Sequence, residues 1–226
     1  MSINLKLSTK LIVMVRSNSE LLKAAKESLT GRWGIAIGTF LVYAIITGSL
    51  KGGYRYNIDS DQGFSYLQSV TSIIYLVMAG PLALGIAIFS LSLARDQEAR
   101  FEQIFDGFRN FKTSLVAYLL MILFIFLWTL LLIIPGIIAA LSYAMTFFII
   151  ADDETIEPMA ALDKSKKMMY GYKLQLFYLC LRFFGLALLC ILTLGIGFLW
   201  LFPYTYVTLA NFYDEIKGNP IGLIDN

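Results

Sequence analysis

The chain has 226 residues, 58% of them apolar and only 15% charged, with a formal net charge of +2 and no histidine. A soluble domain carries about 25% charged residues, so a surface this poor in charge needs lipid against much of it. The balanced charge excludes the concentrated basic footprint of a nucleic-acid binder, and the missing histidine excludes Ser-His and Cys-His nucleophiles, imidazole metal sites and the usual general base near neutral pH.

Near the start, the apolar run Leu11–Val15 falls short of the roughly 7–15 residues of a signal-peptide core, so no cleaved leader is expected. Residues 17–32, SNSELLKAAKESLTGR, place Ser17 and Glu20 at capping-box spacing and Leu21, Leu22, Ala25 and Leu29 on one face. This predicts an amphipathic helix at the membrane interface. A first span follows near 33–50, where Gly34 and Gly38 form a GxxxG pattern that favours close approach of a helix, more readily one of this chain than of a second copy. In the loop from Lys51 to Ser69, Asn57, Asp59 and Asp61 alternate, but glycine stands at 63 rather than 62, so the calcium-loop spacing fails. A second span near 70–94 carries Gly80-Pro81, where a kink is expected.

Residues 98–112 repeat the amphipathic idea, with Phe101, Ile104, Phe105 and Phe108 on one face and a solvated Glu98, Glu102 and Asp106 on another. From Thr113 to Ala151 there is no charge in 39 residues. One helix of that length would reach about 60 Å, twice the roughly 30 Å hydrocarbon core, so the stretch crosses twice. The spans fall near 114–134 and 136–151 with the break at Pro135-Gly136. The fourth span is the weakest, only 16 residues before its flanks, and is expected to cross obliquely or incompletely. Asp152, Asp153 and Glu154 read as negative charge ahead of a helix start, in preference to a divalent-ion site.

A third amphipathic helix is predicted over 155–172, with Thr155 as N-cap, Pro158 in the first turn, and Leu162 and Met169 on the apolar side. Leu174 to Tyr213 then holds 40 residues with Arg182 as its only charge, giving spans near 174–194 and 198–213 about a turn at Gly195-Ile196-Gly197. Cys180 and Cys190, within the fifth span, read as small core residues. The expected fold is all-α: a polytopic membrane helical bundle of about six transmembrane helices and three interfacial helices. It forms a single integral membrane domain of three helix-plus-hairpin modules, about 17–94, 95–151 and 152–216, with a short tail 217–226. Fifteen of the 18 Lys and Arg fall on one side of this layout and two on the other, which places both termini in the cytoplasm. Trp33 then lies at the inner boundary, with Trp128 and Trp200 toward the outer one.

Arg182 is the one charge buried in a span, and a lone central charge costs about 2.5–3.5 kcal/mol unless a carboxylate, carbonyls, water or a lipid phosphate receives it. It is either an anion-binding group or a side chain that snorkels to the interface. Tyr204, Thr208 and Asn211 recur at i, i+4 and i+7 on the sixth span, a face that lines a headgroup pocket or bonds neighbouring helices. Lys164, Lys166, Lys167 and Lys173 gather at the cytoplasmic boundary, where they attract anionic lipid or only fix orientation. There is no phosphate loop, no G-x-S-x-G elbow, no H-E-x-x-H helix and no dinucleotide glycine set, and no metal or other cofactor is expected.

The run Pro135-Gly136-Ile137-Ile138, Ala161-Leu162, Ser165-Lys166-Lys167-Met168-Met169, Gly171-Tyr172-Lys173 and Leu176-Phe177 resembles a family of bacterial integral membrane proteins catalogued as domain of unknown function 975. Thr193 to Gly197, Leu199-Trp200-Leu201, Pro203-Tyr204, Phe212-Tyr213 and the entry Leu21–Gly31 continue the resemblance over most of the chain. The layout is also similar to the membrane portion of some glycerophosphodiester phosphodiesterases, without a counterpart of their soluble catalytic domain, so no activity is implied. Where the resemblance would place Ser-Phe-Ile-Gly-Trp, this chain has Arg182-Phe183-Phe184-Gly185-Leu186. Any role of Arg182 is therefore particular to this sequence.

The expected function is non-catalytic: a multi-pass protein of the bacterial cytoplasmic membrane acting through membrane lipid, a membrane-protein partner or its own oligomer, with no nucleic acid. The alternative is a small transporter of an amphipathic or anionic compound, with Arg182 in its path and spans broken at Pro81 and Pro203. An intramembrane enzyme would have to use Asp152 and Asp153.

Overall fold

The computed structural model describes residues 16–51 and 61–218. Helices follow one another without strands among them: α1 (Asn18–Leu29), α2 (Trp33–Lys51), α3 (Asp61–Ala94), α4 (Gln103–Asp106), α5 (Phe111–Leu131), α6 (Ile133–Tyr143), α7 (Thr146–Asp152), α8 (Pro158–Met168), α9 (Lys173–Leu192) and α10 (Phe198–Gly218). The all-α expectation holds. Leu11–Val15, Asn57 and Asp59 lie outside the described residues.

Among the described residues, five stretches are long and apolar enough to cross a membrane: Trp33–Leu50, Val70–Ala94, Phe111–Leu131, Ile133–Asp152 and Lys173–Leu192. They match five of the six expected spans. The sixth, α10, is a 21-residue helix outside that apolar set. Its Tyr, Thr and Asn residues and the terminal Asp214, Glu215 and Lys217 lower its hydropathy, and it can carry them because Val207, Ala210, Phe212, Tyr213 and Ile216 are buried against protein.

At the centre stands α3. Leu82, Ile86, Phe89 and Leu93 are buried on one face and Leu84, Ala87 and Leu91 on the opposite one, under α1, α2, α4, α5, α7 and α10. A helix apolar on every side requires such an enclosed place. It runs on through Pro81 as one helix, so the Gly80-Pro81 pair does not interrupt the span. That region serves close approach instead: a β-carbon on Gly85 would overlap the Ile104 carbonyl, and one on Gly107 would overlap the Pro81 carbonyl.

The amphipathic helix predicted over 98–112 contracts to the four residues of α4. Around it the amides of Gln103, Ile104, Phe105, Phe108 and Arg109 each donate three residues back, a string of tight turns that seats the backbone on α3. Ile104 is buried, while Phe101 and Phe105 remain exposed, so the predicted four-residue face is not shared. The other two entry helices form as expected. Ser17 and Glu20 complete a capping box on α1, whose Leu21, Ala25 and Leu29 are buried. In α8, Leu162 is buried and Pro158 opens the helix, but the N-cap is Glu157. Thr155 instead donates its amide and hydroxyl to Asp153 Oδ1, at 3.1 and 2.7 Å, an acceptor already aimed at it two residues upstream.

The α5–α6 break comes at Leu132, in extended conformation, three residues before Pro135-Gly136. Pro135 lies in the first turn of α6, where its missing N–H leaves no bond unmade. The Gly136 backbone abuts Thr129, which a β-carbon would overlap. The fourth span is itself interrupted at Ala144-Met145, between α6 and α7, and Ser165 of α8 bridges the gap. Its Oγ donates to the Ser142 carbonyl at 2.8 Å and accepts the Met145 amide at 3.2 Å. The α9–α10 turn falls where predicted, with Gly195 at φ +87° and its amide bonded to the Cys190 carbonyl at 3.0 Å. Gly34 and Gly38 face open space, so the GxxxG pattern receives no helix among the described residues. Both are exposed because α2 packs on α3 and α10 through its opposite side, Ala36 and Phe40.

Candidate functional site

Apolar helices end where charge begins, and three of those ends meet. Arg95, just past α3, presents Nη1 and Nη2 to the two carboxylate oxygens of Asp152, at 2.6 and 3.0 Å. Its Nε and Nη2 reach Asp214 of α10 at 3.0 and 2.6 Å. Asp152 also accepts from the Tyr213 hydroxyl at 2.9 Å and from Lys217 Nζ at 2.5 Å. The planar guanidinium fork suits two carboxylates at once. Hydrogen bonds from Arg95 to Asp214 and then to Asp152 push its pKa above the ordinary arginine value, so it stays charged. Arg16–Glu215 and Arg32–Asp96 pairs further tie the start and end of the α1 segment to α10 and α3.

This cluster was missed from sequence. The sequence reads Asp152 as charge ahead of a helix start, whereas it closes α7, and the chain needs Asp153 to Glu157 before α8 begins. The available signal was positional: Arg95, Asp152 and Asp214 each stand at the boundary of an apolar stretch on one side of the predicted layout. The cluster fastens α3, α7 and α10. Asp152 carries two cations and a phenol already, so its oxygens are engaged as acceptors. Among the described residues no group of three or more His, Cys, Asp or Glu could hold a metal ion.

Arg182 lies elsewhere. It is exposed on α9, has no hydrogen-bond or ion-pair partner among the described residues, and lines a cavity of about 500 Å³ with Asn18, Tyr178 and Leu181. Asn18 holds α1 to α9 by donating its side-chain N–H to the Gln175 carbonyl at 3.2 Å, and its Oδ1 is buried without a partner.

The polar face predicted on the sixth span does not open as a unit. Thr208 is fully buried and donates to the Tyr204 carbonyl at 2.7 Å, and Asn211 donates to the Val207 carbonyl at 2.9 Å, both within α10. Buried hydroxyl and amide groups are satisfied by their own helix when no neighbour supplies a partner. Tyr204 alone reaches out, donating to the Leu22 carbonyl of α1 at 3.1 Å, and it lines a second cavity of about 460 Å³ between α1, α9 and α10.

Of the four lysines, Lys164 and Lys167 line a third cavity of about 420 Å³, with Asp163 and Lys217. Lys166 is exposed and Lys173 begins α9. The structure thus places Arg182, Tyr204 and the Lys164–Lys167 pair at different cavities, while Thr208 and Asn211 bond within their own helix.

Fold and site together define a class: among the described residues, an all-α bundle with five stretches fit to cross a membrane, tied at one end by an ionic cluster and bearing the unpaired Arg182 on an apolar helix. The chain belongs to the family described as protein of unknown function (DUF975), whose model matches residues 14–139 and 129–220. No curated protein and no solved structure matches it.

Proposed function

We propose that this chain is a multi-pass protein of the bacterial cytoplasmic membrane, both termini cytoplasmic, that has no catalytic chemistry and acts by binding membrane lipid or a partner membrane protein. The observation that carries this reading is the outer surface of α9. Leu174, Leu181, Phe184, Leu188, Leu189 and Leu192 are all exposed, and Arg182 stands among them without a partner. An apolar face of this extent is covered by lipid or protein, and the guanidinium within it calls for an anion. Native mass spectrometry from nanodiscs tests the reading: retained lipid or a co-purifying membrane protein is expected, and a bare monomer would overturn it.

The second reading, a small transporter of an amphipathic or anionic compound, draws on the same arginine. Its other support was interruption at Pro81 and Pro203, yet both prolines lie inside continuous helices. Flux in proteoliposomes above background, lost in Arg182→Ser, would favour it.

A further inference from the structure

Two of the cavities lie end to end along one seam. On α9, Arg182, Leu186, Leu189 and Thr193 recur at i, i+4, i+7 and i+11, one face of the helix. Arg182 lines the first cavity, and Leu186, Leu189 and Thr193 line the second. On α1, Asn18 lines the first and Lys26 the second, eight residues apart, with Leu22 between them bonded to Tyr204. The walls of this trough are α1 and the α9–α10 hairpin, and Trp33 and Trp200 both line its far part, so the structure brings together two tryptophans that the sequence places at opposite membrane boundaries.

The trough's chemistry is specific. Its walls are mainly apolar, with two cations, Arg182 and Lys26, and the neutral polar side chains of Asn18, Tyr178, Thr193 and Tyr204, and no carboxylate lines either cavity. Neither cation has an ion-pair partner among the described residues; Arg16, Lys23, Arg32, Arg95 and Lys217 are paired, while the other cations without a carboxylate, such as Arg100, Arg109, Lys112 and Lys166, stand outside the apolar helices or at their ends. Arg182 is also held inside an otherwise apolar helix, where a guanidinium without a counter-charge is costly.

We propose that the trough binds one anionic phospholipid of the phosphatidylglycerol type, its phosphate on Arg182 and an acyl chain laid along Leu186, Leu189 and Trp200. The planar guanidinium matches two phosphate oxygens, and the apolar seam beside it matches a chain. Charge selects the headgroup. A zwitterionic lipid would bring its own cation to a site that already holds two, whereas a monoanionic diester offsets one and is attracted by the other. This assignment rests on the lipid-binding reading above and names the lipid and the place.

The test uses the full chain in nanodiscs of phosphatidylglycerol, phosphatidylethanolamine or phosphatidylcholine, extracted into mild detergent for native mass spectrometry. One retained phosphatidylglycerol is expected, with retention reduced about fivefold in Arg182→Gln and less in Lys26→Gln, the scale set by one cation against an anionic lipid. Both side chains are exposed and unpaired, so the variants keep the wild-type elution volume and helix content. A second readout is independent of retention. In a Trp128→Phe background the remaining tryptophans, Trp33 and Trp200, both line the trough, and phosphatidylglycerol with brominated chains quenches their fluorescence more than the brominated choline lipid does. Lipid retained equally by Arg182→Gln, or phosphatidylcholine retained as well as phosphatidylglycerol, overturns this site and leaves the general reading standing. A lipid-free dimer overturns the site in favour of a second copy on α9. A lipid-free, partner-free monomer overturns both.

Discussion

Arg95 and Asp152 are 57 residues apart in the chain and face each other with two parallel hydrogen bonds, 2.6 and 3.0 Å long. The pair closes the space between α3 and α7, and Asp214 draws α10 into the same fork. The Asp152 side chain is 12% exposed and that of Arg95 28%, so water screens the pair only partly.

Removing one partner leaves the other charged and poorly solvated. Asp152→Asn is expected to lower stability by about 2–3 kcal/mol, at or below the lower end for a buried pair because of the exposure of Arg95. Asp214→Asn should cost less, since Asp152 also receives Tyr213 and Lys217. Arg95→Lys should resemble the loss of the pair, because a point charge cannot serve both carboxylates bidentately. Thermal unfolding in one detergent measures the series, and a wild-type midpoint for Asp152→Asn would remove the cluster's structural role.

Ser165 poses a second test. Its hydroxyl satisfies the Ser142 carbonyl and the Met145 amide where α6 gives way to α7. Ser165→Ala leaves a buried amide unmade, at a cost of about 1–3 kcal/mol. Hydrogen exchange should quicken across 145–149 and stay unchanged in α1. Uniform protection in the variant would show that the break holds without its bridge.

The glycines divide by surroundings. Gly85→Ala drives a β-carbon into the Ile104 carbonyl, so α4 must lift from α3, costing about 1–3 kcal/mol or more. Gly38→Ala meets open space in mid-helix and should be neutral or stabilising by up to about 1 kcal/mol. Opposite shifts in the unfolding midpoint are expected. Destabilisation by Gly38→Ala would mean that a second copy packs there.

What the sequence made legible was local. The capping box at Ser17, the turn at Gly195 and the apolar runs of five spans depend on neighbours within a turn or on composition, and each reappears in the structure. The Arg95 cluster depends on partners 57 and 119 residues away, which no periodicity encodes. The 98–112 segment had the right pattern for a helix, but backbone contact at Gly85 and Gly107 pulled it into tight turns. Thr208 and Asn211 lay on one face as spacing required, yet burial turned their polar groups onto their own helix. Spacing tells which residues share a face and is silent on what covers it.

The capping box gives a pH prediction confined to α1. Glu20 accepts the Ser17 amide at 2.7 Å and the Ser17 hydroxyl at 2.8 Å, and these bonds, the amide first, hold its carboxyl below the ordinary value of 4.5. A carboxyl depressed on folding stabilises above its unfolded pKa, and that contribution is lost as pH falls through the folded one. Protection of the first-turn amides of α1, corrected for intrinsic exchange, should therefore be greater at about pH 6 than at about pH 3. Glu20→Gln should abolish the difference, and Ser17→Ala should lower protection about fivefold at the higher pH, the equivalent of about 1 kcal/mol of cap. Because α1 forms one wall of the trough, acid should also loosen the Leu22–Tyr204 contact. A pH-independent α1 in the wild type, with the same protection in Glu20→Gln, would assign the helix's stability to Leu21, Ala25 and Leu29 alone.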